Sequence, residues 1–403
     1  MFIECGETNR TILILIIFPI FILFRKLTLK KINDNYFFDI FRFYLSYILS
    51  AIFILIIKRR TRIESSEINT NNNEDIHKNM KSKNFVWINP LKTREEKEIK
   101  VKNTKKIIYT LLLTLIGLST NLFYAIFRII NKVDEKENID FLNALDIGRQ
   151  SIGSFFEIIF FLIFGKIILQ NKLYKHHFIS LIIMLFNLIF LLISYILYFK
   201  METFRVISYY FIYNLLFCLS YSFGKKYLNV FYVAPYSLMV NIGIITCFIL
   251  FIYDLVIYLI FKENNVQIHG IILGFKNNFH FSFIFFFILD VLLYFFTNIG
   301  IWLTVYYFSP FHFIISESIS QYIYYTYHYY NGGTYKLVDA LIYFFVYIIN
   351  IFFCFVFNEI IIIKLWKLDY NTKKNIKKRE KQDTQLISNH SQSFTSRNTS
   401  SME

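Results

Sequence analysis

Residues 144–169 read ALDIGRQSIGSFFEIIFFLIFGKIIL. A helix of about 20 apolar residues crosses the hydrocarbon core of a bilayer, and this stretch is long enough to do so. It also carries charge. Gln150, Ser154 and Glu157 follow i, i+4, i+7 spacing and share one helical face, flanked by Arg149 and Gly153. An ionisable group inside a span is costly and is a functional-site hypothesis by default. A polar stripe there cannot face lipid, so it faces other helices or a water-filled cavity.

Working outward, ten stretches meet the length requirement or approach it: 11–24, 37–57, 107–127, 144–169, 177–198, 204–223, 236–261, 279–303, 311–329 and 338–363. The runs are too long for barrel strands and lack their alternation. The expected fold class is an all-α integral membrane protein. Residues 1–57 hold spans one and two, and 58–106 form a polar, basic loop. Residues 107–363 hold spans three to ten, and 364–403 form a tail that is basic at first and then rich in Ser, Thr and Asn. Loop and tail have the composition of disordered segments. Span one ends in Arg25-Lys26 without a small-residue cleavage site, so it reads as a retained short helix with a kink at Pro19 rather than a signal peptide.

Composition agrees. The chain is 56% hydrophobic, against about 45–50% for a soluble domain, despite its charged loop and tail. That excludes a soluble globular enzyme, a disordered chain and a disulfide scaffold. Phe and Tyr are abundant alongside Ile, Asn and Lys, the pattern of an AT-rich coding sequence. Aromatic clusters therefore carry little functional weight.

The net charge of +15 reads as orientation rather than nucleic-acid binding. With ten spans, the side that holds both termini carries 28 Lys and Arg against 12 opposite. Both termini are expected in the cytoplasm, of an endomembrane or plasma-membrane protein, and the sequons at Asn9, Asn389 and Asn398 are expected to be unglycosylated.

Span nine carries a second stripe. Glu317, Gln321, Tyr324 and His328 follow i, i+4, i+7, i+11 and share a face. Two readings stand for these stripes: polar glue between packed helices, or a lined substrate path. Charge at Arg149, Glu157 and Glu317 favours the path. Other ionisable residues in spans have plainer readings. Asp39 and Arg42 form a neutralising pair near a span end, Lys166 snorkels to the surface, and Glu359 lies near a span end. Asp254 and Asp290 also fall within spans.

Catalytic signatures are missing: no HExxH, GxSxG or Walker A sequence occurs. The four cysteines form no CxxC pair. His176-His177 is the only adjacent histidine pair and reads as interfacial. No enzyme activity, metal or cofactor is expected.

Four places between about 143 and 381 carry a resemblance. They are Gly148-Arg149-Gln150-Ser151 leading to Lys172-Leu173-Tyr174-Lys175-His176-His177; Lys226-Tyr227-Leu228 through Val233-Ala234-Pro235-Tyr236; Phe308-Ser309-Pro310-Phe311 with Ser316-Glu317-Ser318; and Phe357-Asn358-Glu359-Ile360-Ile361 before the basic run at Lys373-Lys374. In this order they resemble the nucleotide-sugar-transporter-like solute carriers of the drug/metabolite transporter superfamily, which have the EamA-like fold. The resemblance implies ten helices in two inverted five-helix repeats, with helices four and nine flanking a central cavity. Departures include Gln150 where the family often has Gly, and Gly224-Lys225 and Asn241 where it often has acids.

The expected function is a carrier of a small polar, anionic metabolite working by alternating access. Arg149 would pair with the anion, Glu157 and Glu317 would supply hydrogen bonds or couple to protons, and Gln150, Ser154, Gln321, Tyr324 and His328 would line the substrate site. The rival is a non-transporting membrane scaffold that retains the fold. A lipid-acting enzyme has no positive support.

Overall fold

The computed structural model describes residues 36–56, 103–130, 152–171, 173–199, 203–261, 281–307 and 337–357, with isolated positions beyond them that include Glu359. Among the described residues every regular element is helical. The helices are α1 (Tyr36–Ile48), α2 (Asn103–Ile130), α3 (Ser154–Ile167), α4 (Lys175–Phe199), α5 (Thr203–Phe231), α6 (Pro235–Phe261), α7 (Phe281–Tyr307) and α8 (Leu337–Phe357). They coincide with spans two to eight and span ten. Spans one and nine, the Asn-rich loop and most of the tail lie outside the described residues.

Six stretches are long and apolar enough to cross a bilayer: Phe38–Ile56, which continues α1 beyond a turn at Leu49, Thr104–Ile130, Lys175–Leu197, Phe204–Phe231, Pro235–Ile257 and Phe283–Tyr306. Their outer surfaces are apolar as well. Phe186 is 71% exposed and Leu197 70%, which water would penalise and acyl chains would not. This is the surface of a membrane-embedded helical bundle.

Local signals set the helix ends. Pro235 opens α6, where its missing N–H costs nothing, and the Ala234 carbonyl accepts from Ser237 and Leu238. After α3, Gln170 turns left-handed at φ 54° and the Asn171 amide closes on the Gly165 carbonyl, which frees the chain to reverse into α4.

Cross-helix pairs fix the directions. α1 and α7 run parallel, through Arg42–Asp290, Ser46–Asn298 and Tyr47–Trp302. α1 and α6 run antiparallel, with Ser50 on Met239 and Tyr47 on Gly243. α3 runs parallel to α5, with Asn214 on Gly153 and Cys218 on Glu157. α2 opposes α5, through Thr110–Tyr227 and Tyr124–Tyr213. α4 opposes α8, through Asn187–Asn350, Met184–Cys354 and His176–Glu359.

α1 is in contact with α6, α7 and α2. Its crossing with α6 depends on Gly243. A Cβ there would lie 2.8 Å from Tyr47 Cβ and 2.9 Å from the Tyr44 carbonyl oxygen. Hydrocarbon tails are as apolar as the side chains, so association in lipid relies on close packing, and small residues permit it. Gly243→Val should push α6 off α1 and cost about 1–3 kcal/mol, the usual range for overpacking. Thermal unfolding of the detergent-solubilised protein, followed by size-exclusion chromatography, should show a clear fall in Tm. An unchanged Tm would rule out the close crossing.

Candidate functional site: a buried charge cluster between α1 and α7

Along α1, Asp39, Arg42 and Ser46 lie at i, i+3, i+7. Along α7, Asp290, Tyr294, Asn298 and Trp302 lie at i, i+4, i+8, i+12. Both sets form faces, and the parallel packing turns the faces toward each other. The Arg42 side chain is 0% exposed. Its Nη2 donates to Asp39 Oδ1 at 3.1 Å, and its Nη1 lies 3.2 Å from Asp290 Oδ2. The Phe38 ring sits 5.3 Å from the guanidinium carbon. The Tyr294 hydroxyl donates to Asp39 Oδ1 at 2.6 Å.

The seam continues inward. Asn298 Nδ2 donates to Ser46 Oγ at 3.0 Å, and the Ser46 hydroxyl donates to the Phe43 carbonyl. Trp302 Nε1 donates to the Tyr47 hydroxyl at 3.0 Å, and Asn121 Nδ2 of α2 to the Tyr44 hydroxyl at 3.0 Å. Each polar atom buried here would be costly if left unbonded. The ladder therefore fixes the rotation of α1 as well as its neighbours.

Depth matters. Arg42 sits about one turn into its span and Asp290 about two turns into its own. The cluster thus belongs to one end of the bundle rather than to its midplane. Asp254, near the same end of α6, is also buried.

A guanidinium flanked by two carboxylates can hold two helices in register. It can also exchange one carboxylate for another anion, because bidentate pairing with carboxylate or phosphate is what the guanidinium fork favours. Asp39 is 28% exposed and Asp290 0%, so exchange would proceed from the Asp39 side.

Of the residues named from sequence, Ser154 and Glu157 are described. Glu157 is buried and Ser154 half-buried, and the backbone of this face packs on α5, where Gly153 and Glu157 accept through their carbonyls. Arg149, Gln150, Glu317, Gln321, Tyr324 and His328 lie outside the described residues. Lys166 is exposed, as snorkelling requires. The Lys225 ammonium donates to the Tyr306 carbonyl at the end of α7, where a cation complements the exposed carbonyls.

Asp39 and Arg42 are more than a neutralising i, i+3 pair. The pair is one arm of an inter-helix cluster that includes Asp290. The signal was available: the rule that flags polar stripes in spans four and nine also flags Asp39, Arg42 and Ser46 in span two, and Asp290, Tyr294 and Asn298 in span eight.

No protein-family model matches the chain, and no curated protein matches it.

Removing one partner of a buried ion pair costs about 3–5 kcal/mol, because the other charge stays behind. Arg42→Met leaves two carboxylates facing each other and should lower Tm in detergent strongly. Asp290→Asn should cost less, since Asp39 still balances the guanidinium. The Arg42→Met/Asp290→Asn double variant should be more stable than Arg42→Met alone. Additive losses would show that the two groups do not interact.

Proposed function

We propose that the protein is a multi-pass membrane carrier that moves a small, polar, anionic metabolite by alternating access. The observation that carries this reading is the fully buried Arg42 held between carboxylates on two different helices. A fully desolvated charge within a span is expensive, and in membrane bundles it is kept mainly where ions or polar solutes pass or where charged contacts switch.

The helix arrangement supports the ten-helix, inverted-repeat form of the proposal. Under that fold, span two is equivalent to span seven and span five to span ten. These equivalents are α1 with α6 and α4 with α8, and both pairs pack antiparallel, as an in-plane pseudo-twofold axis requires. The contact of α1 with α7 likewise has its counterpart in that of α6 with α2. α7 and α8 run in the same direction, so the residues between them start and finish at opposite ends of the bundle. That suits a ninth crossing over 311–329.

In this scheme Arg42–Asp290 joins the two halves at one end, while His176–Glu359 joins them at the other. Contacts of this kind between halves close a carrier on one side and break to open it. With both termini cytoplasmic, the Arg42 cluster lies on the lumenal or outer side. Arg149 remains the candidate partner for the anion, and Glu157 with Glu317 the candidates for proton coupling.

The test is uptake into liposomes reconstituted with the full chain, against nucleotide sugars, organic anions and amino acids. Protein-dependent uptake of an anionic member is expected. Arg149→Ala should reduce it at least tenfold. Arg42→Asp and Asp290→Arg should each impair it, and combining them should restore part of it. Absence of protein-dependent uptake across the panel would favour the non-transporting scaffold. Unchanged uptake in Arg149→Ala would remove Arg149 from the site.

A further inference from the structure

The antiparallel register of α4 and α8 brings three metal-ligating side chains together at the end of the bundle opposite the Arg42 cluster. His176 and His177 lie in the first turn of α4, and Glu359 lies just beyond α8. One ligand atom from each falls within 4.8 Å of the others. We infer that His176, Glu359 and His177 form a binding site for a divalent transition metal, with Zn2+ the ion that fits best.

The core of the site is His176 with Glu359. His176 Nε2 lies 3.3 Å from Glu359 Oε1. Zinc holds imidazole nitrogen and carboxylate oxygen at about 2.0–2.2 Å in tetrahedral geometry, which places two ligand atoms roughly 3.3–3.5 Å apart. The observed spacing falls within that range.

The surroundings of His176 point the same way. Its side chain is 3% exposed. Neither ring nitrogen makes a hydrogen bond among the described residues, for the approach of Nε2 to Glu359 lacks hydrogen-bond geometry. A buried polar group without a hydrogen bond is costly, and a metal at Nε2 would use one of these nitrogens. His177 and Tyr174 crowd the ring, with the two imidazole centroids 4.0 Å apart. Phe357 covers His177 at 4.6 Å.

Glu359 adds a backbone observation. It has φ 59°, a conformation uncommon outside Gly and Asn. Its amide closes on the Val356 carbonyl and ends α8, while its side chain reaches back to His176. Strained positions of this kind cluster at ligand clamps. The carboxylate is 12% exposed, so water can reach the site and complete the coordination.

His177 would be the third ligand, and its present bond sets how it joins. Its Nδ1 accepts the Tyr174 amide at 3.0 Å. In a neutral imidazole the proton then sits on Nε2. His177 enters the coordination shell by exchanging the Tyr174 amide for the metal at Nδ1, so it should contribute less affinity than His176. Two histidines and one carboxylate suit zinc better than Mg2+ or Ca2+, which favour oxygen ligands.

His176 and Glu359 also form the contact between halves invoked for transport, but the metal site does not depend on transport and its test reads binding alone. The full-length protein in detergent, stripped with a chelator, is titrated with Zn2+ by calorimetry and with Co2+ by visible absorption. One equivalent of Zn2+ and the strong Co2+ bands of a four-coordinate centre are expected. Glu359→Gln and His176→Gln should each weaken Zn2+ binding at least tenfold and abolish the Co2+ bands, and His177→Phe should weaken it less. Met184→Leu, at the same α4–α8 interface, should bind as wild type; this shows that the losses do not come from general loosening of the interface. Unchanged size-exclusion profiles exclude misfolding. Absence of saturable binding, or equal affinity in wild type and Glu359→Gln, would overturn the site.

Discussion

A guanidinium cannot stay in a hydrocarbon slab without anionic partners, and Arg42 obtains them from two helices. Asp39 comes from its own helix at one turn's distance, and Asp290 from α7. The energy at stake is large because little solvent screens it. That requirement sets the register of α1 on α7, and the rest of the ladder follows. Once Arg42 meets Asp290, Tyr294 falls on Asp39, Asn298 on Ser46 and Trp302 on Tyr47. On the other side of α1, Gly243 lets α6 approach to backbone contact. That crossing holds α6 against α1 at Tyr44 and Tyr47 and tolerates no side chain there.

Among the described residues, polar contacts between helices run along the bundle: the α1–α7 seam extends from Arg42–Asp290 at one end through Ser46–Asn298 to Tyr47–Trp302, and His176–Glu359 lies at the other end. Between those ends, α4 meets α8 through the Asn187–Asn350 contact and the Met184–Cys354 sulfur pair. Hydrogen bonds of this kind between membrane helices are worth about 0.6 kcal/mol on average.

Hydropathy located the helices well. Spans two to eight and span ten correspond to α1 to α8. The site was less legible. In spans four and nine, Gln and Glu stand out against apolar neighbours. In span two the Asp39–Arg42 pair looked self-sufficient, since i, i+3 opposite charges neutralise each other without help. Asp290 in span eight had no visible partner. Likewise, His176-His177 read as interfacial because Glu359 is remote in the chain.

Local composition and hydropathy are enough to establish that this chain is helical and membrane-embedded, and where most of its helices run. These follow from sums over consecutive residues, since each helix satisfies its own backbone hydrogen bonds and is solvated by its own side chains. Which charges meet depends on the packed bundle. Arg42 with Asp290, and His176 with Glu359, are products of helix direction and register. Those are set by packing between segments far apart in the chain, at crossings such as Gly243 on Tyr47, and no local pattern encodes them.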